Sequence, residues 1–357
     1  MKMLTIMIPT MNRPDFLERV LRYYAANEFP WRLFIGDASV GYEARQVKDV
    51  VEKYRHRLPI SHFDCRGVSI AETIHRLNEA LATPYATLIC DDDFVIPGGL
   101  QECIDFLKKN QEYEAANGTT VVLTLQSDGA YGKLKDAGYY RLGGSEGASG
   151  AKRLLAFLSN YYVTLFSVHR AETWKAMWQD VDAIKDVPFQ AELLPNCLAV
   201  VKGKVKHLKK FYIIRQHHDR RYFVPDIFDW LTSPDWFESY TKFSHHLSQG
   251  LAVHDGIPLK EAQAIVKQAF WFYLKNSLTK KYNQRYTAKR KSLKSVLQQI
   301  PLLEKIAVPL WNVIKDIRCY LTSTENISLS SLTKPSSPFY KDFMPVYDLL
   351  TQGAEKF

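Results

Sequence analysis

Nowhere in its 357 residues does the chain reach the roughly 18 uninterrupted apolar residues that a membrane-spanning helix needs. The mostly apolar opening from Met1 stops at Pro9, too soon for the apolar core of a secretory leader, so the sequence reads as that of a cytoplasmic protein. Cysteine is scarce. There are five, an odd number without a Cys-x-x-Cys pair, which excludes a disulfide framework and a thiolate zinc site and predicts reduced, mostly buried thiols. No Gly-x-Gly-x-x-Gly follows the first predicted strand, which speaks against a dinucleotide-dependent dehydrogenase. With 46% hydrophobic and 24% charged residues the composition is that of a folded chain, and no internal repeat is present. The length fits one large α/β domain with an appendage, or two modest domains.

Acid is missing from one long stretch. Between Ala262 and Leu303 there are nine basic residues (Lys267, Lys275, Lys280, Lys281, Arg285, Lys289, Arg290, Lys291 and Lys294) and neither Asp nor Glu. The whole chain has 47 basic and 38 acidic residues, so its net +9 resides in this stretch and the remainder balances. Apolar residues are interleaved there, notably Phe270, Trp271, Phe272 and Tyr273. Basic amphipathic helices of this kind suit an anionic membrane surface or another polyanion, and equally a solvated face over a packed helical subdomain.

What is present elsewhere is an alternation of strand and helix signals. Leu4–Ile8 is an apolar run ending in Pro9-Thr10, and Asn12, Pro14 and Asp15 open a helix. Arg32–Gly36 is a second strand, followed by helical spacing of Val47, Val50, Val51 and Tyr54. Pro59–Phe63 and then Val68–Ala82 repeat the unit, and Tyr85–Cys90 reads as a strand buried on both faces. Four such alternations imply a doubly wound α/β sheet. Beyond Asn110 the pattern predicts strands over Thr119–Leu125 and Val163–Val168, a hairpin or loose loop over Tyr131–Leu142, and two short β runs within Lys204–Ile214. Helices are predicted over Ala151–Ser159, Ala171–Trp178 and Phe189–Val200, and the glycine-rich Gly143–Gly150 reads as a mobile active-site lid. From Asp226 onward the chain turns helical, with a Ser/Thr/Pro-rich linker over Thr322–Pro338 before a final short helix.

In open α/β sheets, ligands bind at the carboxyl ends of the strands. Thr10, Asn12 and Arg13 follow the first strand, Asp37 and Ser39 the second, Asp64 and Arg66 the third, and Asp91, Asp92 and Asp93 the fourth. Three consecutive carboxylates after a buried strand repel one another and call for a compensating cation or strong hydrogen bonds. Oxygen ligands suit Mg2+ or Mn2+, which commonly bridge a few carboxylates to substrate phosphates. Aspartates capping the helix that begins near Pro97 and otherwise facing water are the plainer alternative.

The order Ile8-Pro9-Thr10-x-Asn12-Arg13-Pro14, then Ile35-Gly36-Asp37-Ala38-Ser39, then Leu88-Ile89-Cys90-Asp91-Asp92-Asp93-Phe94-Val95 with Pro97-Gly98-Gly99-Leu100, resembles glycosyltransferase family 2. The likeness covers about the first 110 residues well and extends loosely to His218. It implies a GT-A fold, a mainly parallel sheet flanked by helices, over residues 1–222, with a helical, basic region over 223–357. It also implies an inverting transfer from a nucleotide-sugar donor, most simply a UDP-sugar, to a glycan or lipid-linked hydroxyl acceptor, in surface polysaccharide or glycoconjugate synthesis, with Mn2+ or Mg2+ as cofactor.

By that resemblance Asp37 holds the nucleobase, with Pro9, Thr10, Arg13 and Arg66 lining the donor pocket. Asp91 lies near the ribose, Asp92 is the variable middle position, and Asp93 binds the metal, with His218 as a late ligand. Either His217 or His218 fits that role by position. The acidic pair expected near the acceptor is reduced here to Glu192, on an apolar helix, where it serves as general base or pairs with a cation such as Arg215. The cluster Tyr222, Phe223, Phe228, Trp230, Trp236, Phe237 and Tyr240 suits sugar stacking or simple core packing. A nucleotidyltransferase shares the βα pattern and paired aspartates but is expected to carry a glycine-rich basic loop where this chain has Pro-Thr-Met-Asn-Arg. A non-catalytic polyanion-binding protein is the remaining alternative; nucleic acid is not the expected partner of the catalytic part.

Overall fold

The computed structural model describes residues 3–220, 225–289 and 327–352, with side chains of the second segment to Asn283 and of the third to Thr351. Tyr222, Phe223, Arg290, Lys291, Lys294, Cys319 and 322–326 of the expected linker lie outside the described residues.

The first quarter of the chain forms as the alternation predicts. β1 (Leu4–Thr10), α1 (Pro14–Ala26), β2 (Arg32–Asp37), α2 (Gly41–Arg55), β3 (Ile60–Asp64), α3 (Ile70–Glu79) and β4 (Tyr85–Leu88) are three parallel crossovers. Leu4, Ile6, Met7 and Ile8 are all buried, as a strand covered on both faces requires. Each contributes about 1.5–3 kcal/mol of apolar burial. Pro14 sits in the first turn of α1, whose Phe16, Leu17, Val20, Leu21 and Tyr24 face the core. Ser69 caps α3 by accepting from the Glu72 amide at 3.1 Å.

β5 (Phe94–Val95), α4 (Pro97–Lys109), β6 (Tyr113–Leu125), β7 (Leu134–Tyr140), α5 (Gly150–Ser159), β8 (Val168–Arg170), α6 (Ala171–Met177), α7 (Leu194–Lys202) and β9 (Lys204–His217) complete the α/β unit. The nine-stranded sheet runs β3-β2-β1-β4-β8-β6-β9-β5, and β7 adds to β6 beyond β8. β6 and β9 pair in parallel, while β5, β7 and β8 run opposite to their neighbours. The sheet is therefore mixed and mainly parallel, as expected. α4 packs so closely on β9 that a Cβ at Gly99 would stand 2.2 Å from the Phe211 carbonyl, so only glycine fits.

Three expectations are corrected. β4 ends at Leu88, not Cys90, which frees Cys90 and the aspartates as a loop. Val163–Ser167 is not strand; the paired residues are Val168–Arg170. The glycine-rich segment is not placed to act as a lid. Ser145 pairs with Val205 at the start of β9, and the Gly150 and Ala151 amides each donate to Asp255 at 2.8 Å. Those anchors hold it at the end of β9 opposite the aspartates.

The described C-terminal helices are α8 (Ile227–Leu231), α9 (Trp236–Asp255), α10 (Leu259–Lys289), α11 (Leu329–Leu332) and α12 (Tyr340–Gln352). Gly256, at φ 66°, turns α9 back into α10. Their shared core is aromatic: Phe270 meets Tyr240 at 4.9 Å and Phe243 at 5.6 Å between ring centroids. α12 returns to the sheet, burying Phe343, Val346, Leu349 and Leu350, and just before it Phe339 stacks on Phe211 at 4.9 Å.

Candidate active site

Register aligns the polar strand ends. Thr10 lies opposite Asp37, Asp37 opposite Asp64, and Met7 opposite Leu88, so the loop of Asp91–Asp93 emerges beside Thr10. Gly36 must stay small, because a Cβ there would stand 2.6 Å from the Thr73 methyl; no acid can precede Asp37.

All three aspartates are buried, and each has a different set of partners. Asp91 accepts from Thr10 Oγ1 at 2.6 Å and from Arg13. Asp92 accepts from Arg13 Nη1 at 3.1 Å and from His218 Nε2 at 2.8 Å. Asp93 accepts from Arg215 Nε at 2.8 Å and from the Gln216 amide at 3.2 Å. Beneath them lies Arg19, fully buried, which donates to the Asp92 carbonyl at 2.8 Å and to the Ala130 carbonyl at 2.6 Å. Arg13 and Arg215 thus pair with the three carboxylates, and Arg19 lies beneath them on the Asp92 carbonyl. These pairs supply the compensating cations and hydrogen bonds that three adjacent carboxylates call for.

The electrostatics differ along the triplet. Burial pushes Asp91 up to about 7 and Asp93 up to about 6, against the pull of Arg13 and Arg215 respectively. Asp92 feels the same burial, but the His218 hydrogen bond and Arg13 outweigh it and bring it down to about 2. Asp92 is therefore the residue held as a firm anion.

His218 is 2% exposed, whereas His217 faces solvent, as strand alternation dictates. The His218 ring stacks on Phe16 at 4.5 Å, and the Arg13, Arg19 and Arg220 guanidiniums lie 5.7, 4.9 and 5.0 Å from the same Phe16 ring. The sequence resemblance sets Asp93 and His218 together on a metal; the structure puts His218 on Asp92 and turns Asp93 to Arg215.

A divalent cation can be tested against this geometry. Asp92 Oδ1 and His218 Nδ1 are buried with no hydrogen-bond partner, the state of atoms reserved for a ligand. Ligand atoms of Cys90, Asp92 and Asp93 lie within 4.8 Å of one another. A hard ion fits Asp92 best, since both Asp93 oxygens are engaged and burial holds the Cys90 thiol protonated.

Asp37 is fixed by the Ser39 amide at 2.8 Å and by His62 at 3.1 Å; these bonds outweigh its burial and hold it below the usual carboxylate range. Asn12, at φ 55°, ties the loops after β1 and β2 together: its amide donates to Ser39 Oγ at 2.8 Å, and its side chain accepts from Val40 at 3.0 Å. Pro9 is half-buried beside Thr10. Arg66 is exposed at the rim, paired with Asp64 at 2.8 Å.

Glu192 lies in a π-helical turn, Pro188–Leu193, that runs directly into α7. Tyr161 donates to it at 2.8 Å. Burial raises its pKa, opposed by that hydrogen bond and by Arg215. Arg215 thus touches Asp93 and acts on Glu192, while its guanidinium lies over Tyr140 at 4.7 Å and Phe166 at 4.3 Å.

Phe16, Arg19, Tyr140, Tyr161 and Phe166 do not stand out in the sequence as site residues. Arg19 carries a signal, being a cation in the apolar arc of α1 between Phe16 and Tyr23. Of the expected aromatic sugar platform, Trp230, Trp236 and Tyr240 pack around Phe189 at 4.9, 5.9 and 6.3 Å as core, while Phe228 and Phe237 are exposed.

No protein-family model matches the chain, and no curated protein does. Among solved structures, the chain is similar to S. aureus TarS at TM-score 0.46 and 14% identity, over 74% of this chain and 42% of that one. Residues 1–349 of TarS in complex with UDP give TM-score 0.47 and 14% identity, over 74% and 70% of the respective chains. The complex with UDP-GlcNAc gives 0.44 and 14%, over 80% and 92%. This chain spans under half of the first of these, and all three scores fall below 0.5.

Proposed function

We propose that the protein transfers a sugar, with inversion, from a nucleoside-diphosphate sugar to a hydroxyl acceptor. The observation that carries this reading is the division of carboxylates at one sheet edge. Asp37 and Asp91–Asp93 line the carboxyl ends of β1, β2 and β4, where a nucleotide would lie. Glu192 stands apart on another element, half-buried, with a raised pKa.

Each group suits one task. Asp37, ionised and pre-oriented, keeps lone pairs free to accept the N3–H of a uracil or thymine ring, which favours a UDP- or dTDP-sugar. Pro9 and Thr10 form the wall beside it, and Arg66 at the rim suits a solvent-side contact with the nucleotide. Asp91 holds Arg13 in place next to the donor, and Arg13 supplies positive charge for the diphosphate. A Mg2+ or Mn2+ ion would be held by Asp92 with His218 in support, and when bound it supplies Lewis-acid stabilisation of charge on the leaving diphosphate. Asp93 positions Arg215. Glu192 takes the acceptor hydroxyl's proton as that oxygen attacks the anomeric carbon, its raised pKa making it the stronger base.

The test is nucleoside diphosphate release from a panel of UDP-, dTDP- and GDP-sugars with Mn2+ or Mg2+, alongside nucleotide-induced thermal stabilisation. Release and stabilisation by at least one donor, both lost in Asp92→Asn, are expected. A panel that neither stabilises the protein nor is consumed would overturn the assignment.

A further inference from the structure

We infer that the outward face of α10 is a docking surface for an anionic lipid bilayer. Lys260, Lys267, Trp271 and Lys275 recur at intervals of seven, four and four residues and are all exposed, so they form one stripe of the helix. The opposite face, Ala262, Val266, Ala269, Phe270 and Leu274, is buried in the protein. Trp271 is 59% exposed, and Phe272 at its flank 36%.

The residue types select the occupant. A tryptophan standing between lysines four residues to either side matches the layering of a bilayer interface, with an apolar ring at headgroup depth and ammonium groups at the phosphates. No Asp or Glu occurs on α10 after Glu261. Among the acids on the neighbouring helices, Asp226 pairs with Lys281 at 2.6 Å and Glu238 with Lys242 at 2.6 Å. Lys267 and Lys275 make no ion pair among the described residues, so the stripe carries uncompensated positive charge. No described helix is long and apolar enough to cross a membrane, so the contact is with the surface. A nucleic acid would also attract the lysines, but a bilayer alone rewards burial of the apolar Trp271 and Phe272 flank. Of the aromatic run Phe270–Tyr273 only Trp271 and Phe272 are exposed; Phe270 is core, and Tyr273 turns inward to meet Tyr161 at 5.2 Å.

The experiment is co-sedimentation of the full chain with phosphatidylcholine vesicles, with and without phosphatidylserine, and with single-stranded RNA as competitor. Binding to phosphatidylserine vesicles only, released by raised salt, is expected. Lys267→Glu/Lys275→Glu and, separately, Trp271→Ala should each weaken it about tenfold with an unchanged melting temperature. Equal binding to both vesicle types, or none, overturns the inference. So does wild-type binding by the variants, which would place the attraction elsewhere in the chain. RNA that displaces the vesicles while Trp271→Ala binds like the wild type would reassign the stripe to polyanions.

Discussion

Arg215→Met is the perturbation that tests the site's charge balance most directly. The guanidinium is 21% exposed and bonded to Asp93 at 2.8 Å, and Asp93 itself is 1% exposed. Methionine preserves much of the apolar contact with Tyr140 and Phe166 but leaves Asp93 beside Asp92 with only the Gln216 amide. Breaking a buried pair by removing one partner costs about 3–5 kcal/mol, chiefly the penalty of the stranded charge. The sign of the pH dependence is set by the same pair. Asp93 already has a folded pKa above its unfolded value, and losing Arg215 raises it further. The variant's deficit should therefore shrink as pH falls from neutral through the wild-type value of about 6, below which Asp93 is protonated in both folded proteins. Urea midpoints at neutral and mildly acidic pH measure this. Arg215→Met/Asp93→Leu, with neither charge, should recover most of the loss. A single variant that loses under about 1 kcal/mol, or a double variant no better than the single, refutes the reasoning.

Glu192→Gln should lower kcat by about 10² or more with nucleotide affinity unchanged, and should abolish an acid limb that falls above the ordinary carboxylate range; a variant that loses affinity but keeps turnover assigns Glu192 to structure. Asp37→Asn should weaken nucleotide binding about tenfold by calorimetry, with little change in melting temperature. Phe16→Leu removes the platform under His218 and should lower ion-dependent stabilisation by nucleotide while nucleotide binding without the ion persists. Asp93→Ala, which the sequence suggests as a clean loss of activity with an intact fold, should instead destabilise the protein, because it strands Arg215.

The part of the fold that can be read in advance is the part whose periodicity is local. β1 through β4 and their helices follow from apolar runs, Pro14 and the strand-end polar residues. β8 has three residues and β5 two, too short to carry a pattern, and β9 reads as two runs because its pairing with β6 is interrupted near Gly118 and Thr119. The Gly143–Gly150 segment misleads because composition reports chain freedom, whereas Asp255 and Val205, distant in sequence, supply its anchors. At the site, the residue types on the strand ends are legible, including Asp37 and His218. Partner choice within the Asp91–Asp93 triplet is not, since it depends on which way each side chain leaves the loop.

Phe189, three residues before Glu192, fills a socket made by Trp230, Phe243 and Phe270, with ring centroids at 4.9, 5.0 and 5.7 Å. The turn bearing the proposed base is thus seated on helices encoded well downstream of the sheet. Inheritance should respect that seam. A recombination joint near residue 222 would deliver a sheet with its donor-side residues but no floor for its base, and helices whose aromatic socket is vacant. Divergence of acceptor preference could instead enter through the helices themselves, since a shift of α9 or α10 would tilt the Phe189 turn, and Glu192 with it, while leaving the β1–β4 edge untouched.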